Sequence, residues 1–165
     1  MRFRRLLKHL LTPEWFALRR FPMRARAEIA AAVAASERRH RGEICVAIEG
    51  PLPLSLLWRD VSPRERALEL FALRRVWDTE ENTGVLIYLQ LVDRRIEIVA
   101  DRGITRRVPQ TAWEALCREL EAALMAERYL AGVLAAIEQT TQLLATHFPA
   151  TGVNPNELPD QPWVR

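Results

Sequence analysis

The stretch Gly84-Val85-Leu86-Ile87-Tyr88-Leu89-Gln90-Leu91 decides the fold. It is almost wholly apolar and rich in β-branched and aromatic side chains, the composition of a strand covered on both faces. Val92-Asp93-Arg94-Arg95 then interrupts it with a short polar link. Beyond the link, Ile96 and Ile98 alternate with Glu97 and Val99 as far as Ala100. Two strands joined so closely form an antiparallel hairpin.

The elements upstream fix how this hairpin sits in a sheet. Ser62-Pro63-Arg64-Glu65 is a helix start: Ser62 caps, Pro63 suits the first helical position, and Glu65 completes a capping box. The pattern predicts a helix to about Trp77, burying Leu70, Phe71 and Trp77. Glu43 to Glu49 reads as another strand with both faces apolar, Ile44, Val46 and Ile48 on one side and Cys45 and Ala47 on the other. Met23 to Arg41 reads as a helix with the stripe Ala27, Ile29, Ala30, Val33 and Ala34, ended by Gly42. A helical crossover from Glu43–Glu49 to the central strand makes the two parallel, with right-handed chirality.

Two helices follow the hairpin. The first begins near Pro109 or at a second capping box, Thr111-Ala112-Trp113-Glu114, and buries Trp113, Cys117, Leu120 and Leu124. The second runs from about Tyr129 to Phe148, with Leu130, Val133, Leu134, Ile137, Thr141 and Leu144 on one face. The expected fold is α/β, a three-layer α/β/α sandwich around a small mixed sheet that contains the antiparallel hairpin.

A chain of 165 residues fits one domain. The expected division is a basic amphipathic leader over 1–22, the α/β domain over 23–148, and an extended tail over 149–165 that holds Pro149, Pro155, Pro159 and Pro162. Trp163 is the residue that can pin this tail. The leader carries Arg2, Arg4, Arg5, Lys8, Arg19 and Arg20 against Glu14, a net of +5, whereas the rest nets −2 from 18 basic and 20 acidic residues. Met1 to Leu11 suits a short helix with Phe3, Leu6, Leu7, Leu10 and Leu11 opposite Arg2, Arg4 and Lys8. Such a segment either rests on an anionic membrane surface, docks on the domain as a helix, or is a frayed terminus.

Composition also excludes function classes. The near-neutral domain has no nucleic-acid motif, so nucleic acid is not an expected partner. Cys45 and Cys117 have no CxxC or Cys/His spacing, so structural zinc is not expected. His9, His40 and His147 stand in no nucleophilic order, and no G-x-S-x-G or P-loop occurs. His40 and His147 read as marks of helix C-termini, where a positive charge is favoured. Lys8 breaks the only early apolar run, no signal peptide or membrane span is expected, and the reading is a cytoplasmic protein.

The segments Asn82-Thr83-Gly84-Val85-Leu86-Ile87-Tyr88-Leu89 and Asp93-Arg94-Arg95-Ile96-Glu97-Ile98-Val99-Ala100-Asp101-Arg102-Gly103-Ile104 resemble the core of the TPM domain family. Gly42-Glu43-Ile44 is similar to the start of that family's first strand, and Tyr129-Leu130-Ala131-Gly132 to its last helix. The resemblance covers roughly 24–148 and extends to a short soluble subgroup with a tail like Asn156-Glu157-Leu158-Pro159-Asp160. It implies an α/β/α sandwich, proposed calcium binding and phosphatase activity, and a link to membrane-complex maintenance. The partner it implies is a LemA-type membrane protein. The chain departs from the pattern at Thr105-Arg106-Arg107-Val108, where many relatives carry an acidic residue.

Topology places a candidate site at one end of the sheet. The end of the second hairpin strand lies beside the start of the first, and the parallel strand starts at the same edge. Glu43, Glu80, Glu81, Asn82 and Asp101 therefore gather from three segments, with Glu49 and Asp93 at the opposite end. Carboxylates with an amide oxygen suit a hard cation such as Ca2+. Arg102, Arg106 and Arg107, with the helix start near Pro109–Thr111, suit a phosphate or carboxylate. The competing reading makes these residues solvated loop positions and local ion pairs. Function accordingly divides between an accessory or binding domain and a weak metal-dependent phosphatase acting on phosphomonoesters.

Overall fold

The computed structural model describes residues 2–152 and 155–165, so Met1 of the expected leading helix and Val153 and Asn154 of the tail lie outside the described residues. In chain order the elements are α1 (Arg2–Leu11), α2 (Phe16–Arg20), α3 (Met23–Glu37), β1 (Glu43–Glu49), α4 (Leu54–Trp58), α5 (Pro63–Leu73), β2 (Gly84–Gln90), β3 (Arg95–Ala100), α6 (Arg102–Thr105), α7 (Gln110–Met125), α8 (Tyr129–His147) and β4 (Trp163–Val164). The sheet order is β3-β2-β1-β4. β1 runs parallel to β2, with Glu43 opposite Gly84 and Glu49 opposite Gln90. β2 and β3 form the expected antiparallel hairpin, with Ile87 opposite Ile98.

Every residue of β1 and β2 is buried, as an apolar run between two helical layers requires. One face carries Ile44, Val46, Ile48, Val85, Ile87 and Leu89 into a core shared with residues of α3, α7 and α8. The other presents Cys45, Ala47, Leu86, Tyr88 and Val99 to Ala67 and Leu70 of α5 and to Leu158 of the tail. The three-layer α/β/α arrangement around a mixed sheet is thus present.

Local chemistry explains the boundaries. Glu65 N–H donates to Ser62 Oγ at 3.2 Å and Ser62 N–H to Glu65 Oε2 at 2.7 Å, the reciprocal capping box that starts α5. The helix stops at Leu73, short of the predicted Trp77. Arg75 adopts a left-handed conformation with φ 56°, which turns the chain so that Val76 enters the core and Trp77 stays 48% exposed. α3 also ends early, at Glu37, and Ala27 is exposed; Ala25, Ser36 and Glu37 join Ile29, Ala30 and Val33 on its buried side. The Thr111 capping box does not form: α7 starts at Gln110 behind Pro109, with no side-chain cap. Cys117 is only half-buried, while Trp113, Leu120 and Leu124 are buried as expected.

The two ends of the chain are built into the fold. Ala17 and Phe21 are fully buried in the main core. At the other end, Trp163 and Val164 pair in parallel with Ala47 and Ile48, adding a fourth strand that sequence reasoning left as extended tail. Arg165 completes the pairing: its N–H donates to the Ile48 carbonyl at 3.0 Å, and its carbonyl accepts from Gly50 N–H at 2.7 Å. Among the described residues no helix is long and apolar enough to cross a membrane.

Candidate functional site

The end of the sheet at which β1 and β2 begin is where topology placed the candidate residues. Their backbones do meet there. Glu43 N–H donates to the Thr83 carbonyl at 3.1 Å, Asp101 N–H to the Gly84 carbonyl at 2.9 Å, and Gly103 N–H to the Asn82 carbonyl at 3.0 Å. Asn82 occupies the left-handed region at φ 55°, which suits an asparagine turn.

Their polar groups bond to the tail, to Arg41 and to Arg102. Glu43 is fully buried, and its Oε2 accepts from the amides of Glu157 and Leu158 at 3.2 and 3.0 Å. Glu80 enters through its backbone, donating N–H to Glu157 Oε1 at 2.9 Å. Glu81 pairs with the Arg41 guanidinium. Asn82 Oδ1 accepts from Arg102 Nε at 2.8 Å, and Asp101 Oδ1 accepts from Arg102 N–H at 2.6 Å as the cap of α6. The predicted anion set is divided as well. Arg107 donates to the His147 carbonyl at 3.1 Å and stacks on the Phe148 ring, whereas Arg106 is exposed at the end of α6.

Besides Glu157, two further acids belong to this edge, and the predicted site set includes none of the three. Glu37, at the end of α3, accepts from Ile44 N–H at 3.1 Å. It satisfies the outer edge of β1 where β4 does not reach. Asp160 accepts from Asn156 Nδ2 at 2.8 Å within the tail. The tail segment Asn156–Asp160 is therefore folded over the strand edge and held chiefly by Glu43. The only sequence signal for this was the tail's resemblance to the family pattern. The contacts themselves are carboxylate to backbone amide over more than a hundred residues, and leave no trace in side-chain types.

Crowding shows in the acids. Burial first and the Glu43 charge second push Glu37 from 4.5 up to about 8. Burial also raises Glu43 from 4.5 to about 7; the tail amides pull against this, and Glu157 and Asp160 add to it. Both bind protons more tightly in the folded chain, so their contribution to stability is complete below about pH 4.5 and is lost as pH rises through about 7 and 8. His40 works the other way. It is fully buried, with Nε2 2.9 Å from Ser36 Oγ and Nδ1 accepting from Gly42 N–H at 3.2 Å. Burial lowers it from 6.5 to about 4, so it is a neutral internal histidine and not the positive helix-end charge expected. Its contribution is complete above pH 6.5 and lost as pH falls through about 4.

Between pH 6.5 and 8 the two carboxyls therefore dominate these three groups, and folding stability should fall with rising pH. The slope is at most about 1.4 kcal/mol per pH unit for each group. Urea midpoints measured across that window check it, and Glu37→Gln should flatten the decline.

As folded, Glu43 Oε2, Asn82 Oδ1 and Asp101 Oδ1 accept from the chain itself, and Asp101 Oδ2 is buried with no hydrogen-bond partner among the described residues. Among the described residues no three His, Cys, Asp or Glu side chains are arranged to hold a metal ion. What the arrangement does chemically is clamp the tail and the hairpin turn to the strand edge.

The opposite end of the sheet carries a second buried polar group. Arg66 donates to Glu49 through Nε at 3.0 Å and Nη2 at 2.7 Å, and Tyr88 Oη donates to Glu49 Oε2 at 2.8 Å. Burial first and the Glu49 charge second raise the Tyr88 hydroxyl, which keeps its proton and donates it to the carboxylate. Asp93 stands at this end as expected, beside Arg5 and His9 of α1.

Comparison with known proteins agrees with the fold. No curated protein matches the chain. The chain is similar to the solved NMR structure of the BA42 protein from the psychrophilic bacterium Bizionia argentinensis, with a TM-score of 0.76 and 23% identity over 86% of this chain and 93% of that one. The family model of the TPM domain matches residues 20–143, which hold β1, β2 and β3 and run from α3 into α8. The chain belongs to the TPM domain family.

Proposed function

We propose that this protein is a cytoplasmic accessory domain that works by binding a partner. The observation that supports this is the spending of the edge residues. Glu43 holds the tail amides, Glu81 pairs with Arg41, Asn82 accepts from Arg102 and Asp101 caps α6, so these groups hold the fold together rather than forming a matched acid and base for proton transfer or water activation. The half-buried thiol of Cys117 and the buried one of Cys45 are both raised to about 11 by burial, and suit a reducing compartment better than nucleophilic work. The partner that the family resemblance implies is a LemA-type membrane protein, and titrating its soluble part into this protein by calorimetry checks that.

The phosphatase reading predicts a different result in a simple assay. With p-nitrophenyl phosphate and millimolar Mg2+ or Ca2+, the accessory reading expects no turnover above a buffer blank. Turnover that disappears in Asp101→Asn would replace it with the phosphatase. Calcium titration of metal-free protein adds a second check: saturable binding abolished by Asp101→Asn would restore the cation site at the strand edge.

A further inference from the structure

We propose that the outward face of α1, with the basic groove beside it, docks on an anionic lipid bilayer. An amphipathic helix on a globular domain normally turns its apolar stripe inward and leaves its charges in water. α1 is the reverse. Arg5 Nε donates to Asp93 Oδ2 at 2.8 Å and Nη1 to the Val61 carbonyl at 2.9 Å. His9 is 2% exposed and its Nδ1 accepts from Leu52 N–H at 2.9 Å. That leaves the ring proton on Nε2, which lies 3.2 Å from Asp93 Oδ1. The polar side of the helix is thus pinned to the domain. Phe3, Leu7, Leu10 and Leu11 are exposed by 74, 46, 55 and 76%. With 3.6 residues per turn these four fall within one arc of about 100°.

Charge identifies the occupant. Arg4 and Lys8 are exposed and border the same stripe. Lys8 also lines a groove of roughly 930 Å³ between the leader, the hairpin turn and the start of α8, together with Arg20, Arg94, Arg95, Asp93 and Glu121. The two acids there are already engaged, Asp93 by Arg5 and His9, Glu121 by Arg95 at 3.4 Å. Lys8, Arg20 and Arg94 therefore leave the groove with an excess of positive charge next to an apolar stripe. Anionic headgroups meet those cations while the stripe enters the acyl boundary, which is the recognition chemistry of an interfacial helix. An apolar groove on another protein would take the stripe and leave the cations unmatched. The inference goes beyond the accessory reading and is independent of it, since vesicle binding and turnover are separate measurements.

Sedimentation with vesicles of phosphatidylcholine alone, and with added phosphatidylglycerol, tests it on the full chain. The wild type should partition onto the anionic vesicles at least about tenfold more than onto neutral ones, and salt should weaken this. Leu7→Asp with Leu11→Asp should lose at least about tenfold, because two leucines no longer leave water. Lys8→Glu, which leaves the stripe intact, should lose binding to the anionic vesicles only. All three positions are exposed, so thermal melts should match the wild type. No partition of the wild type, equal partition onto both vesicles, or undiminished binding by the leucine variant overturns the proposal. So does a concentration-dependent dimer that the leucine variant abolishes, which would assign the face to a second copy of the chain.

Discussion

Replacing Arg66 with methionine should destabilise the fold by about 3–5 kcal/mol, because it strands the Glu49 carboxylate inside the protein. Glu49 is fully buried and Arg66 is 5% exposed. The two share a bidentate pair at 2.7 and 3.0 Å. Burial opposes the Arg66 charge, and the hydrogen bonds that Arg66 donates to Glu49 and then to Glu69 outweigh that opposition. Removing the guanidinium leaves Glu49 with only the Tyr88 hydroxyl, far too little to replace hydration. The expected readout is a lower urea midpoint with unchanged slope. The double change Glu49→Gln with Arg66→Met should recover most of the loss, since the desolvated charge is then gone. If the double variant is as unstable as the single one, the pair matters through packing rather than charge.

Gly84→Ala should cost at least about 3 kcal/mol and can prevent folding. A Cβ at Gly84 would lie 1.9 Å from the Val76 carbonyl oxygen. That neighbour is backbone and cannot rotate away. Val76 itself is fully buried, so the loop after α5 can retreat only by withdrawing Val76 from the core. Gly50→Ala is the internal comparison: its Cβ would meet the Arg165 carbonyl at 3.3 Å and Ala17 Cβ at 3.4 Å, contacts that a small shift relieves. Circular dichroism melts of the two variants should differ by far more than their shared chemistry.

These two positions also show how legible the chain was. β1, β2, the hairpin and the cap of α5 follow from patterns carried within each segment: uninterrupted apolar runs, a short polar link, Ser62 three residues before Glu65. α4 and α6 are five and four residues long, too short to display a period, and β4 has only two. Val76 rather than Trp77 enters the core after the left-handed turn at Arg75, and nothing in arginine's side chain announces that turn. The meeting of Glu43, Asn82 and Asp101 segments was legible because strand direction alone dictates it. The engagement of Glu43 by the tail was not, because its partners are peptide N–H groups that every residue except proline carries.

The outer edge of β1 has a consequence for hydrogen exchange. Successive residues of a strand point their peptide groups to opposite sides, so β1 alternates between amides facing β2 and amides facing the tail. On the tail side, Ile44 N–H is closed by the Glu37 carboxylate and Gly50 N–H by the Arg165 carbonyl, whereas Glu43 N–H on the inner side is closed by Thr83. Detachment of the two-residue β4 is a small local opening, while parting β1 from β2 breaks the centre of the sheet. Neighbouring amides of one strand should therefore exchange on two timescales, with fast and slow residues alternating along the chain.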